Sequence, residues 1–412
     1  MDLGHGLLLT RRTLLATGAI ALLASRTGFA QDAPSPLTLR IAEADLPLGE
    51  GQPTLRTPAL NGAYAGPLIG MTRGEAVRVS VENHLDFGLR FRTQGLRGAA
   101  VTDADTAIAP GETRRLTLTP PDAGSFLYRF EAETAANAGR TALLSGPLVA
   151  ADTTPAIADR EILLALNALV VPGATPAAPP RRVVLVNGAA DLAVTGRPGE
   201  RLRLRAINLA ADSLAALRLP PPARIAALDG QPCAAFAPVD GLLLLPPLGR
   251  ADLVVALPDT PGELAIGDDQ EPGRVLVRIT IAGEAMPQRA LAPELTANAG
   301  LPKEIPFKGA VRAELAAGTA PLPVVKARAG QTVMLTIAPA ATLYALALDR
   351  QNARLLDNVD DGWKPWWHDT LILFPGETSR LALIPQQPGR YGLTFIPLEE
   401  NAPPAVAWME IS

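Results

Sequence analysis

The chain has 412 residues, 48% of them hydrophobic and only 4% aromatic, and a formal net charge of −4. That mild acidic balance, with no basic block, argues against a nucleic-acid surface and against a polybasic membrane patch. One cysteine, Cys233, excludes an intramolecular disulfide, and the length predicts about two to four domains, with three the natural division.

The N-terminus reads as a targeting segment. Arg11 and Arg12 precede an apolar run from Leu14 to Ala24 and a small-residue exit at Gly28-Phe29-Ala30, with cleavage expected after Ala30. The run is too short to span a bilayer of about 30 Å. Its paired arginines point to twin-arginine export, and so to a bacterial periplasm. Removing residues 1–30 takes away Arg11, Arg12, Arg26 and Asp2 and leaves a net charge of about −6. No later stretch is apolar for long enough to span a membrane, so no stable membrane insertion is expected.

Beyond residue 30, Pro and Gly punctuate short runs rich in Val, Leu, Ile and Thr. Val77–Glu82, Arg114–Thr119, Arg201–Ile207 and Thr332–Ile337 alternate polar and apolar residues, which predicts strands with one buried face and an all-β fold of sandwiches or barrels. A turn feeds such a strand three times: Thr72-Arg73-Gly74-Glu75, Arg197-Pro198-Gly199-Glu200 and Arg328-Ala329-Gly330-Gln331. In each, Gly supplies the positive φ such a turn needs. A second repeat, Ala109-Pro110-Gly111-Glu112-Thr113, returns as Phe374-Pro375-Gly376-Glu377-Thr378 and more loosely as Pro247-Leu248-Gly249-Arg250-Ala251. The spacing predicts three similar sandwiches, over residues 31–152, 153–290 and 291–412.

Other landmarks carry a resemblance. Asn61-Gly62 with Gly66-Pro67-Leu68-Ile69, Pro121 through Tyr128, Leu185-Val186-Asn187-Gly188, Arg205-Ala206-Ile207-Asn208, Asp229-Gly230-Gln231-Pro232, His368-Asp369-Thr370 and Pro388-Gly389-Arg390-Tyr391 occur in an order similar to that of the multicopper oxidases. The resemblance covers nearly the whole chain after residue 30 and implies three consecutive cupredoxin-like Greek-key domains. It also implies about ten copper-binding histidines and a cysteine, because imidazole and thiolate suit copper.

At the positions this resemblance assigns to copper, the ligands are missing. The first histidine pair falls on Arg92 and Gln94, the second on Arg129 and Glu131, and a third-domain pair loosely on Ala345 to Leu348. The final His-Cys-His run falls on Thr394, Phe395 and Ile396, with its last histidine at Glu400 and the axial ligand near Ala405. Only His84 and His368 remain after residue 30. The expectation is therefore a protein with no cofactor, no copper site and no catalytic residues. Arg92, Arg129 and Glu131 either pair across an emptied cavity between the first and third domains or turn outward into solvent.

The remaining chemistry-bearing residues read as structural. Cys233 lies far from the thiolate position, His368 enters a strand, His84 sits in a surface turn, and the acidic pairs Asp360-Asp361 and Glu399-Glu400 read as solvated faces. Trp363, Trp366 and Trp367 are clustered in a chain poor in aromatics and are candidates for a partner-binding surface, with packing against the third sandwich as the alternative. A monomeric scaffold or binding protein with a periplasmic protein partner is the expectation, and the resemblance to exported, copper-free members of the family implies partners in the cell-division machinery under stress. A true copper oxidase by fold, a copper chaperone, and an enzyme of other chemistry in the interdomain cleft stand against it.

Overall fold

Alternation along the chain sets the sheets. In Val77–Asn83 the side chains of Val79 and Val81 are fully buried while Arg78 is exposed, and in Val333–Ala338 Val333, Leu335 and Ile337 are buried while Met334 and Thr336 are only half-buried. The computed structural model describes residues 37–47, 54–102, 105–151, 156–171, 181–318, 323–356, 363–398 and 403–412, without the side chains of residues 363–365. The export segment with Arg11 and Arg12, the pair Asp360-Asp361 and the pair Glu399-Glu400 lie outside the described residues.

Six sheets form three two-sheet sandwiches. The first pairs a sheet of Thr54–Leu60, Leu37–Pro47, Val77–Asn83 and Thr113–Leu118 with a sheet of Ile69–Thr72, Ser145–Ala151, Gly124–Ala132 and Leu89–Gln94. The second has sheets of six and five strands between Arg160 and Ile281, and the third has two sheets of five strands between Val311 and Ile411. Each sandwich repeats one unusual feature: its opening strand runs parallel to a neighbour. Leu37 faces Val79, Arg160 faces Leu202 and Val311 faces Val333 in these pairs. The only helical elements among the described residues are the 3₁₀ turns Ala135–Thr141 and Val239–Gly241, and no described helix is long and apolar enough to cross a membrane.

The repeated turns have nearly the same geometry in all three copies. Gly74, Gly199 and Gly330 have φ of 79°, 75° and 77°, and the residue after each donates its backbone N–H three residues back, at 3.0 to 3.1 Å. Asn61-Gly62, Asn187-Gly188 and Asp229-Gly230 each place two successive residues at positive φ, the signature of tight hairpin turns.

Each sandwich has its own apolar core, built around Phe91, Phe126 and Phe130 in the first, Leu204 and Leu253 in the second, and Leu335, Leu393 and Phe395 in the third. Further apolar clusters join them. Ala65 and Leu127 of the first sandwich pack with Leu163, Ile207 and Leu248 of the second and Ala347 of the third. Leu46, Tyr64 and Leu143 pack on Leu169 and Leu185. The connection between Ile281 and Val311 contributes Ile305 to a cluster with Trp367 and Ala382.

Truncating a core residue such as Leu253, which is 0% exposed, should cost about 2–5 kcal/mol. Urea unfolding of Leu253→Ala checks this; a midpoint unchanged from wild type would show that the second core is not packed as described.

Candidate functional site

The face of the first sandwich that meets the others is set by two antiparallel strands. Leu89–Gln94 and Gly124–Ala132 pair with Phe91 opposite Phe130 and Arg92 opposite Arg129. Alternation sends Phe91, Phe126, Tyr128 and Phe130 into the core and leaves Arg92, Gln94, Ser125, Arg129 and Glu131 on the other face. Most of the positions assigned to first-domain copper ligands thus share one surface.

Their described ion pairs lie within the first sandwich. Arg92 Nε donates to Glu131 at 3.2 Å and its Nη1 to Asp105 at 2.8 Å, while Arg129 pairs with Glu131 at 2.5 Å. Burial opposes the charge on Glu131, but Arg129 and Arg92 outweigh it and hold its pKa low. Both arginines thus share a carboxylate of their own sheet. The group lies at the edge of the surface, with the side chains of Arg92 and Arg129 25% exposed.

Gln94 makes the crossing instead. It is buried, and its Nε2 donates to Leu348 O at 3.1 Å and to Asp369 Oδ1 at 2.9 Å, both in the third sandwich. Asp369 belongs to a three-sandwich junction around Arg250, whose side chain is 0% exposed. Arg250 Nη1 and Nη2 donate to the two carboxylate oxygens of Asp369 at 2.6 and 2.5 Å, and also to Leu248 O at 2.8 Å and Asp229 O at 3.0 Å. Asp229, the first residue of a hairpin turn, accepts from Asp369 N, Thr370 N and Thr370 Oγ1 at 2.9 to 3.1 Å. His368 Nδ1 is 3.5 Å from Asp229. Gly95 has φ of 94°, and a Cβ there would run into the Arg250 guanidinium, so this approach needs glycine.

Burial disfavours the charge on Asp229, but Arg250, His368 and the Thr370 N–H outweigh it and hold its pKa down to about 2. Burial pushes Asp369 up to about 6, helped by the charge of Asp229 and opposed by Arg250 and Gln94. A second network lies where the first and second sandwiches meet. Ser125 Oγ donates to Asp252 at 2.5 Å, Arg203 and Arg205 also pair with Asp252, and both arginines bind Glu161. Burial opposes the charges of Asp252 and Glu161, and the two arginines hold both carboxyls low.

The final ligand run is equally committed. Phe395 is 0% exposed in the third core, Ile396 is buried beside it, and Thr394 is half-buried opposite Ala347 and Val406. Glu400 lies outside the described residues. Of the clustered tryptophans, Trp367 packs inward on the third sandwich, the alternative raised for the cluster, and Trp366 packs between sandwiches. Trp367 is 8% exposed and packs on Ile305 and Ala382, with Arg354 over its ring at 4.7 Å. Trp366 stacks on Phe236 of the second sandwich with ring centroids 4.5 Å apart. The aromatic surface is used between sandwiches, and the side chain of Trp363 is not among those described. Cys233 is half-buried beside the second core, where burial pushes its thiol up to about 12 and disfavours the thiolate. Among the described residues no three His, Cys, Asp or Glu side chains are grouped as a metal would need.

Residues 48–152 match the family model described as multicopper oxidase. No curated protein matches the chain. Among solved structures, the multi-copper oxidase from Pseudomonas thermotolerans aligns with a TM-score of 0.76 at 24% identity, over 92% of this chain and 100% of that one. Lac15 from a marine microbial metagenome aligns with a TM-score of 0.74 at 21% identity, over 90% and 100% of the two chains. The multi-copper oxidase from Pseudomonas parafulva gives 0.76 at 20% identity, over 91% and 100%. The fold of this chain is that of three-domain cupredoxin proteins.

Removing the Arg250 cation leaves Asp369 buried without its partner, at a cost of about 3–5 kcal/mol. Arg250→Met should unfold correspondingly earlier in urea, and adding Asp369→Leu should recover much of the loss; a wild-type midpoint for Arg250→Met contradicts the junction.

The two carboxyls of the junction act with opposite sign on stability. Folded Asp369 takes up its proton near pH 6, above the value of about 4 expected in the unfolded chain, so its contribution grows as pH falls from about 7 to 5. Asp229, Asp252 and Glu161 are held low, so their contribution is present above about pH 4 and is lost on further acidification, for Asp229 as the pH falls towards 2. The thermal midpoint should rise on acidification to about pH 5 and fall below about pH 4, and Asp369→Asn should flatten the first limb. A wild-type midpoint that declines steadily from neutral pH would contradict this reading.

Proposed function

We propose that this chain is a member of the multicopper oxidase family that has given up copper chemistry and acts as a binding or scaffold protein in the periplasm. The observation that carries the reading is the state of the emptied ligand positions. Copper sites of this kind need imidazole and thiolate donors. Phe395 stands where the thiolate belongs and fills the third core, Gln94 spends its amide on a crossing hydrogen bond, and Arg92 and Arg129 bring guanidinium, which cannot donate a lone pair. The donor set does not fit copper, and no oxidative step is derived through it.

The paired Arg11 and Arg12 support twin-arginine export. Three cupredoxin-like domains, export and lost ligands together resemble the bacterial cell-division protein FtsP, also called SufI. A monomer that stabilises periplasmic division components under stress is the corresponding role here. The fold and the match over residues 48–152 favour a second reading, a functional copper oxidase.

Metal analysis of the exported protein after copper loading, with a phenol-oxidase assay alongside, separates the two. Substoichiometric copper and no turnover are expected; several coppers per chain with oxidation would overturn the proposal. Crosslinking in the periplasm should then recover division proteins. A deletion strain that divides normally under oxidative and osmotic stress, with no enrichment of the protein at septa, would remove the division role.

A further inference from the structure

A cavity of about 120 Å³ opens where the first sandwich, the connection between the second and third sandwiches, and the third sandwich converge. It can hold several water molecules or a small organic group. None of the positions assigned to copper lines it. Two arginines do, Arg97 from the first sandwich and Arg350 from the third, and the backbone ties them together: Gly98 N, next to Arg97, donates to Arg350 O at 3.3 Å. Arg350 has φ of 51°, a left-handed conformation unusual for a bulky residue.

Both guanidiniums lie against other residues of the cavity wall. Arg97 uses Nε and Nη2 on Asp122 at 2.6 and 2.7 Å, and its Nη1 donates to Gly300 O at 3.1 Å and keeps a second N–H. Gly300 lines the cavity, and a Cβ there would run into the Arg97 guanidinium. Arg350 donates from Nε to Asp349 at 3.2 Å and from Nη2 to Arg390 O at 3.1 Å, and lies 5.2 Å over the ring of Tyr391, another wall residue. Those bonds leave its Nη1 uncommitted. Neither side chain is sealed, since Arg97 is 15% and Arg350 32% exposed.

A third cation sits just behind the wall. Arg354 is buried, lies 4.7 Å over the Trp367 ring, and donates to Lys303 O at 2.7 Å and Pro302 O at 3.2 Å. Trp367 and Pro302 both line the cavity. Among the described residues no carboxylate pairs with Arg354, and burial pushes its pKa down. A buried cation without its counter-charge is costly. Three guanidiniums thus share two carboxylates, Asp122 and Asp349, and the balance is short by one negative charge. A carboxylate supplies that charge and matches the planar fork of an arginine, whereas a phosphate dianion overshoots it. Leu301, Ile384 and Trp367 add apolar wall suited to a short hydrocarbon stem.

We propose that this cavity binds a small carboxylate between Arg97 and Arg350, either a free short-chain acid or the Asp or Glu side chain of a protein partner. This goes beyond the loss of copper chemistry, and its test reads the same whether or not the protein takes up copper.

The test is an NMR titration of the intact protein that follows the indole N–H resonance of Trp367, one of only four tryptophans, with propionate, propionamide, inorganic phosphate and a capped Ala-Glu-Ala peptide. Propionate should shift it saturably, and propionamide, which has the same shape without the charge, should not. A peptide that binds about tenfold tighter than propionate identifies a protein side chain as the source, and one that binds no tighter identifies a small free acid. Arg350→Asn, which suits the left-handed backbone, should weaken propionate at least about tenfold. Arg354→Met leaves both cavity arginines in place and should also weaken it, because the unpaired charge is gone. No shift with propionate, or equal shifts from propionate and propionamide, would overturn the proposal. So would phosphate displacing propionate at equal affinity, or an unchanged propionate affinity in both variants.

Discussion

A guanidinium with no exposure to solvent must have every contact satisfied within the protein, and Arg250 meets that requirement only when all three sandwiches are in place. Its own sandwich supplies Leu248 O and Asp229 O, the first offers Ser125 O at 3.4 Å, and the third supplies the carboxylate of Asp369. Gln94 of the first sandwich then bonds that same carboxylate. A buried ion pair of this kind adds little net stability over apolar packing, because desolvation offsets most of its attraction. What it contributes here is registry: sliding one sandwich against another leaves a charge without its partner, while the apolar clusters beside it would tolerate small shifts.

That registry runs through positions that the resemblance assigns to copper. The resemblance places a metal cluster at the contact of the first and third domains. In this chain the same contact carries Gln94 to Leu348 O and Asp369, and the thiolate position has become part of the third core through Phe395. The aromatic pair Trp366 and Phe236 adds a stack between the second and third sandwiches, worth about 0.5–1.5 kcal/mol beyond the area it buries. Hydrogen bonds and packing occupy the places where coordination would have been.

Much of this architecture was legible in local sequence. Period-two alternation gave the strands, and the turns around Gly74, Gly199 and Gly330 were readable because φ near 77° is a demand that one residue makes visible. The junction was not legible. Asp229, Arg250 and Asp369 each stood within a recognised landmark, but Arg250 and Asp369 are 119 positions apart, and no local pattern pairs them. One signal was present: the loose copy of the second repeat, Pro247-Leu248-Gly249-Arg250. There the positive φ moves from the glycine to Leu248 at 65°, and the Leu248 carbonyl binds Arg250. The departure from the repeat marks the place where the turn serves another purpose. The pairing of Arg92 and Arg129 with Glu131 was missed for a similar reason, since the register of their two strands decides it. Which way Trp367 packs is not legible either, because composition reveals a cluster of aromatic residues but not the direction each one faces.

Polar and apolar contacts at Arg250, Gln94 and Trp366 join the three sandwiches, and the claim to test is that copper adds nothing to them. A ligand that binds only the folded state raises its stability in proportion to occupancy. Calorimetric unfolding of the protein in excess copper, and again in excess chelator, therefore tests the claim directly. The same unfolding temperature in both solutions is the predicted result, and a midpoint raised by copper and lowered by chelator would contradict it.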